Sequence, residues 1–128
     1  MYSMISSGIK ISVETFFQPE LSNAEQSEFV FAYKITIENK NDFPVRLLRR
    51  YWLIKDSNAQ VKEVEGEGVV GVQPLILPGN SYQYMSACYL HSEIGKMSGE
   101  YLMQNTYNHQ HFKCEIPEFF MEVPFKLN

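Results

Sequence analysis

The chain has 128 residues, 45% of them hydrophobic and 20% charged, a size and balance that suit one core rather than two and exclude disorder and an extended coiled coil. Eleven Lys and Arg against 15 Asp and Glu leave a formal charge of −4, and no basic run supplies the phosphate-neutralising surface that nucleic-acid binding needs. No apolar stretch reaches the length of a membrane span and the N-terminal segment lacks a charged leader before an apolar run, so a cytoplasmic protein without a membrane partner is expected.

Nine Phe, eight Tyr and one Trp make the composition 14% aromatic, and such side chains favour pleated, half-buried strands. Ile9, Ile11 and Val13 alternate with Lys10, Ser12 and Glu14, which predicts a first strand over about 8–17 with one face on a core. The polar turn from Ser22 to Ser27 leads into Phe29, Phe31, Tyr33, Ile35 and Ile37 on one parity, a second strand. It stops at Asn39-Lys40-Asn41-Asp42, whose side chains bond nearby backbone and favour a turn, and at Pro44, which cannot donate to a ladder.

From Val45 to Asp56 both parities carry apolar residues, Val45, Leu47, Tyr51 and Leu53 on one, Leu48, Trp52 and Ile54 on the other. This predicts a central strand covered on both sides for part of its length. Asp56-Ser57-Asn58-Ala59 reads as a hairpin turn into Val61 and Val64. Val69, Val70 and Val72 stand among Gly66, Gly68 and Gly71, the composition of a short, bent or bulged strand. Pro78-Gly79-Asn80 turns the chain into a strand carrying Tyr82, Tyr84, Ser86 and Cys88 on one face. After Gly95 and Gly99, two strands follow around Tyr101 with Met103 and around Phe112, Cys114 and Ile116, joined by a turn from Asn105 to Gln110; a last short one covers Phe120 to Val123. Nowhere do apolar residues keep a helical spacing for two turns. The pattern predicts one all-β domain over 1–128, a two-layer antiparallel sandwich of the immunoglobulin or fibronectin type III kind, with a small barrel as the structural alternative.

Chemistry-bearing residues are few. Gly66-Glu67-Gly68-Val69-Val70-Gly71 matches G-x-G-x-x-G, the pattern by which backbone approaches a pyrophosphate when it follows a strand and opens a helix. Here it runs into Val72, Gln73 and Pro74, which cannot extend a helix. The glycines therefore read as sites of positive φ or close backbone packing, with anion or nucleotide binding as the alternative. His109 and His111 would project from one strand face and are the only local metal-ligand candidates; with no third ligand nearby, a solvated pair near a turn is the better reading and no metal site is expected. Cys88 and Cys114 read as buried thiols. Arg46, Arg49 and Arg50 beside Tyr51 and Trp52 suit either an acidic partner or salt bridges to neighbouring strands. No nucleophile elbow, metalloprotease helix or phosphate-binding Lys-Ser or Lys-Thr loop is present, and no catalysis and no cofactor are expected.

The segments Arg49 to Asp56, Val64 to Pro74, Pro78-Gly79, Tyr84-Met85-Ser86, Gly95 to Tyr101 and Phe112 to Phe119 closely resemble the ApaG family, in the family's order. Asn80 stands where the family usually has an acidic residue, and Ala87 where a small Gly is common. The resemblance implies a fibronectin type III-like sandwich. It further implies an association of bacterial members with cobalt resistance and magnesium efflux, and, through related domains in eukaryotic F-box and polymerase-interacting proteins, protein–protein binding. The expectation is thus a small non-catalytic module with an unidentified protein partner, in which Arg49 and Arg50 are candidate contacts. Its alternative is a nucleotide or pyrophosphate sensor acting through Gly66, Gly68 and Gly71. Edge strands of a sandwich can also pair between chains, so a homodimer is a further expected assembly.

Overall fold

Alternating apolar and polar side chains produce nine strands in the computed structural model of the protein, which describes residues 1–124; the last four positions of the expected 1–128 domain lie outside the described residues. In chain order they are β1 (Tyr2–Ser6), β2 (Ile9–Phe17), β3 (Phe29–Asn39), β4 (Val45–Asp56), β5 (Val61–Glu67), β6 (Leu75–Ile76), β7 (Ser81–Leu90), β8 (Ile94–Asn105) and β9 (His111–Glu122). Two single-turn 3-10 helices, Pro19–Leu21 and Ala24–Gln26, fill the connection between β2 and β3. One sheet has the order β1-β2-β3-β7, the other β5-β4-β8-β9 with β6 also on β4, and every pairing is antiparallel. This is the expected two-layer sandwich rather than a barrel.

Four expectations differ from the structure. β1 precedes the first expected strand and β6 was not expected; both are short, and β1 carries little alternation. The strand expected at Val69 to Val72 is a tight turn with one isolated bridge. The strand expected around Tyr101 starts at Ile94 and runs through Gly95 and Gly99, and that at Phe120 to Val123 is the end of β9.

The fourth difference concerns β4, which is covered on one face only. Its register against β8 shifts between Leu47 and Arg49, so Leu48 is an extra residue in a bulge. Val45 and Leu47 face inward before it, and Trp52 after it. A single core face has thus changed parity, which in a linear sequence imitates burial on both sides. β9 repeats the device. Its register against β8 shifts between the Gly99–Ile116 and Met97–Phe119 pairs, so Pro117 and Glu118 stand in the irregularity. Buried positions change from Cys114 and Ile116 to Phe119 and Met121, and Pro117 occupies a place where no ladder N–H is needed.

Between the sheets lies one cluster of buried side chains drawn from both. Trp52 is its hub: its ring meets Tyr33 of β3 at 5.6 Å, Phe119 of β9 at 5.9 Å and Tyr101 of β8 at 6.4 Å, all edge-to-face, the arrangement the aromatic quadrupole favours. The polar groups that enter the core are paired. The Tyr84 and Tyr101 hydroxyls bond each other at 2.5 Å across the two sheets. Asn39, fully buried, donates to the carbonyls of Phe43 and Ile76 and accepts from the Asn41 N–H, closing the turn after β3.

Removing one hydroxyl of the tyrosine pair strands the other without a partner. Tyr101→Phe should therefore cost about 1–3 kcal/mol, while Tyr84→Phe combined with Tyr101→Phe should cost less than the two single changes summed; urea unfolding of the three variants measures this. Burial also pushes the Cys88 thiol up to about 11 and Cys114 up to about 12 from 9.0, and raises Tyr33, Tyr84 and Tyr101. These groups stay neutral in the native chain after they would ionise in the unfolded one. The contribution of the two thiols is complete below pH 9 and lost as pH rises through 11 and 12. The unfolding midpoint should fall steadily over that interval.

Candidate functional site

At the end of β5 the glycine-rich segment folds back on itself. Val69 N–H donates to the Val72 carbonyl at 2.8 Å and Val72 N–H to that of Val69 at 3.0 Å, with Val70 at φ +48° and Gly71 at φ +77° between them. Positive φ at both central residues is the signature of a type I′ hairpin turn. Gly68 N–H donates to the Leu48 carbonyl at 2.8 Å, and the same carbonyl accepts from Gln73 Nε2 at 3.0 Å. A pyrophosphate cradle needs several backbone N–H groups converging on one point. Here those of residues 68, 69 and 72 already meet protein carbonyls, leaving Val70 and Gly71 at the apex without a backbone partner among the described residues.

Each glycine of the motif has its own reason. Gly68 sits at φ +61° where a Cβ would collide with the Val72 carbonyl oxygen. At Gly66 a Cβ would come within 2.8 Å of the Arg50 guanidinium. Gly71 needs only its positive φ, since the space beside it is open.

The three arginines do not form one patch. After the bulge, Arg50 has the inward parity of Trp52, and its Nη1 donates to the Glu67 and Gly68 carbonyls at 3.1 Å each. Arg46, on the outer face, donates to the Gln73 carbonyl at 2.9 Å. Arg49 also points outward and is exposed, opposite Glu67 on one side and Leu102 on the other. Trp52 is 2% exposed and unavailable to a partner.

Arg49 belongs to a surface that residue spacing alone conceals. On the outer face of the β5-β4-β8-β9 sheet, Tyr51 stands between Glu65 and Glu100, and Leu53 between Glu63 and Ser98. Tyr51, Leu53 and Leu102 are half-buried in a rim of charge that includes the Lys113–Glu100 pair at 3.4 Å. Partial desolvation, then the negative charges of Glu63, Glu65 and Glu100, hold the Tyr51 hydroxyl above its usual pKa. The signal for this surface lay in the alternation of residues 49, 51 and 53, once the bulge at Leu48 is known.

His109 and His111 do not share a strand face. His109 sits at φ +63° in the turn before β9, His111 opens β9, and both are exposed. No three His, Cys, Asp or Glu side chains among the described residues are grouped to hold a metal ion. Nor is any helix among them long and apolar enough to cross a membrane.

Comparison with known proteins extends the geometry to a family. The ApaG domain profile matches residues 19–105. Protein ApaG of Brucella canis is 44% identical over 124 residues, covering 97% of this chain and 95% of its own length, and that of Brucella anthropi is 43% identical over the same coverage. A crystal structure of a Bordetella pertussis protein superimposes with a TM-score of 0.88 at 38% identity, covering 92% of this chain and 95% of that one. The C-terminal domain of Wzt, 8% identical with a TM-score of 0.55, shares the fold alone.

Val70 is a β-branched residue in a left-handed position, where asparagine is favoured. Val70→Asn should stabilise the protein by about 1 kcal/mol, whereas Gly68→Ala should destabilise it by more than about 1 kcal/mol. Chemical denaturation distinguishes them, and a Gly68→Ala protein of wild-type stability would contradict the assigned packing role.

Proposed function

The chain belongs to the ApaG family, and from that premise and the geometry above we propose that it is a small non-catalytic module that binds another protein. The observation that carries this reading is the outer face of the β5-β4-β8-β9 sheet. Tyr51, Leu53 and Leu102 form an apolar centre, Arg49 stands beside it, and carboxylates and Lys113 ring it. A half-desolvated aromatic and an arginine inside a polar rim is the composition of an interface core. The resemblance to proteins associated with cobalt and magnesium homeostasis is then read as an action through the bound partner, since the described residues offer no grouped ligands for an ion. The pairing of the loop donors with protein carbonyls weighs against the nucleotide-sensor alternative.

Affinity capture from native lysate should retain a protein on the wild-type chain and lose it on a chain carrying Arg49→Glu and Tyr51→Ala, with the unfolding midpoint showing that the variant is folded. The loss expected is more than about tenfold in retained partner. Retention unchanged by the two substitutions would remove this face from the reading. Heat on calorimetric titration with ATP or pyrophosphate would move the function to the glycine loop.

A further inference from the structure

A sandwich of two open sheets has four edge strands, and this one treats them unequally. β1 and β9 close on each other: Ser7 Oγ donates to the Lys113 carbonyl at 3.0 Å, and Ser6 Oγ accepts from the Glu115 N–H at 3.1 Å. On the opposite side β5 and β7 have no strand beyond them among the described residues. β5 carries Lys62, Glu63, Glu65 and Glu67 within seven residues, the charge by which edges resist adventitious pairing. β7 has none of these protections. Its ten residues, Ser-Tyr-Gln-Tyr-Met-Ser-Ala-Cys-Tyr-Leu, include no charge and no proline, and its register against β3 is unbroken.

The ladder shows which backbone groups β7 leaves open. Asn39 N–H donates to the Asn80 carbonyl just before β7 begins, and antiparallel pairs alternate, so Tyr82, Tyr84, Ser86, Cys88 and Leu90 turn their N–H and C=O groups to β3. Those of Ser81, Gln83, Met85, Ala87 and Tyr89 turn outward. All five residues are exposed, with Met85 at 54% and Tyr89 at 70%.

Beside this edge a groove of about 170 Å³ opens between the sheets, lined by Ile54, Val64 and Cys88 among others, with two cations, Arg50 and Lys62, and no carboxylate. Neither cation has an ion pair among the described residues, in a chain whose net charge is −4. A strand added to β7 would turn every second side chain toward the inner side of the sheet, and those level with Ser86 to Tyr89 would enter this groove.

We propose that β7 is a strand-acceptor edge, taking an extended segment of another protein whose inward-facing side chains are apolar and acidic. Backbone pairing with residues 81–89 supplies the attachment, and the two cations select the acidic side chain. A second copy of this chain fits less well. Its own Tyr84 and Cys88 are buried in its core, and a paired β7 would leave Arg50 and Lys62 unmatched. The proposal concerns a different face from the outer sheet surface around Tyr51 and stands or falls separately from it.

The test uses a synthetic peptide of alternating threonine and valine with glutamate at two of the positions on the valine face, and the same peptide with lysine there. Both are titrated into the isotope-labelled 128-residue chain and followed by amide chemical shifts and hydrogen exchange. The glutamate peptide should shift and protect the amides of Gln83, Met85 and Ala87, and bind at least about tenfold more tightly than the lysine peptide. Met85→Pro removes an outward N–H without touching the ladder to β3 and should abolish binding. Lys62→Glu should erase or reverse the preference between peptides. If Met85→Pro disturbs the fold, protection of those amides in the wild-type chain carries the same decision. Binding unaffected by either substitution would overturn the proposal, as would shifts confined to other strands or no binding at all. Concentration-dependent dimerisation with β7 amides already protected would assign the edge to a second copy instead.

Discussion

One extra residue in β4, Leu48, decides which way the rest of that strand faces. A strand with period two cannot change its buried parity without a bulge, and β4 must do so because Val45 and Leu47 pack inward at one end and Trp52 at the other. With Trp52 inward, its ring contacts three other strands and joins the sheets. Arg49, Tyr51 and Leu53 are then outward, and the candidate interface exists. Without the insertion those three side chains would aim at the core and Trp52 at solvent. The apolar interior and the candidate interface are therefore consequences of the same local geometry.

The bulge reaches further through its carbonyl. Leu48 O accepts from Gly68 N–H and from the Gln73 side chain, so the departure of β4 from regular pairing supplies an acceptor that fixes the glycine segment after β5. Arg50, two residues on, donates to the next carbonyls of that segment. The G-x-G-x-x-G spacing follows from this attachment. Gly66 leaves room for the Arg50 head, Gly68 for the returning Val72 carbonyl, and Gly71 adopts the second left-handed position of the turn. Three glycines thus have three separate steric origins, and none of them requires a phosphate.

Much of the sandwich was legible because burial on one face leaves a period-two record. β2, β3 and β4 have nearly the boundaries that alternation and Asn, Asp and Pro turns predict. What was not legible depends on pairing between distant strands. β1 is half exposed and shows no alternation, and β6 is two residues long. The parity changes at Leu48 and Pro117 are registers against β8, which no window of sequence contains. The same limit applied to the candidate residues. Arg49 and Arg50 are adjacent in sequence and face opposite sides of a sheet. His109 and His111 are two apart, yet a left-handed backbone at His109 takes it off the strand.

The open side of the sandwich ties these features together. Beside β5 and β7 the groove is lined by side chains of both sheets, and Arg50 is one of them. Its guanidinium is held by the glycine segment on one side and lines the groove on the other, so loop conformation and groove shape cannot vary independently. A long cationic side chain suits this position because its aliphatic part can cover apolar neighbours while its head keeps polar partners. An aliphatic substitute would fill the gap but leave the Glu67 and Gly68 carbonyls without their donor. The groove thus keeps a positive charge beside an unprotected strand because the same guanidinium holds the Glu67 and Gly68 carbonyls that lead into the glycine turn.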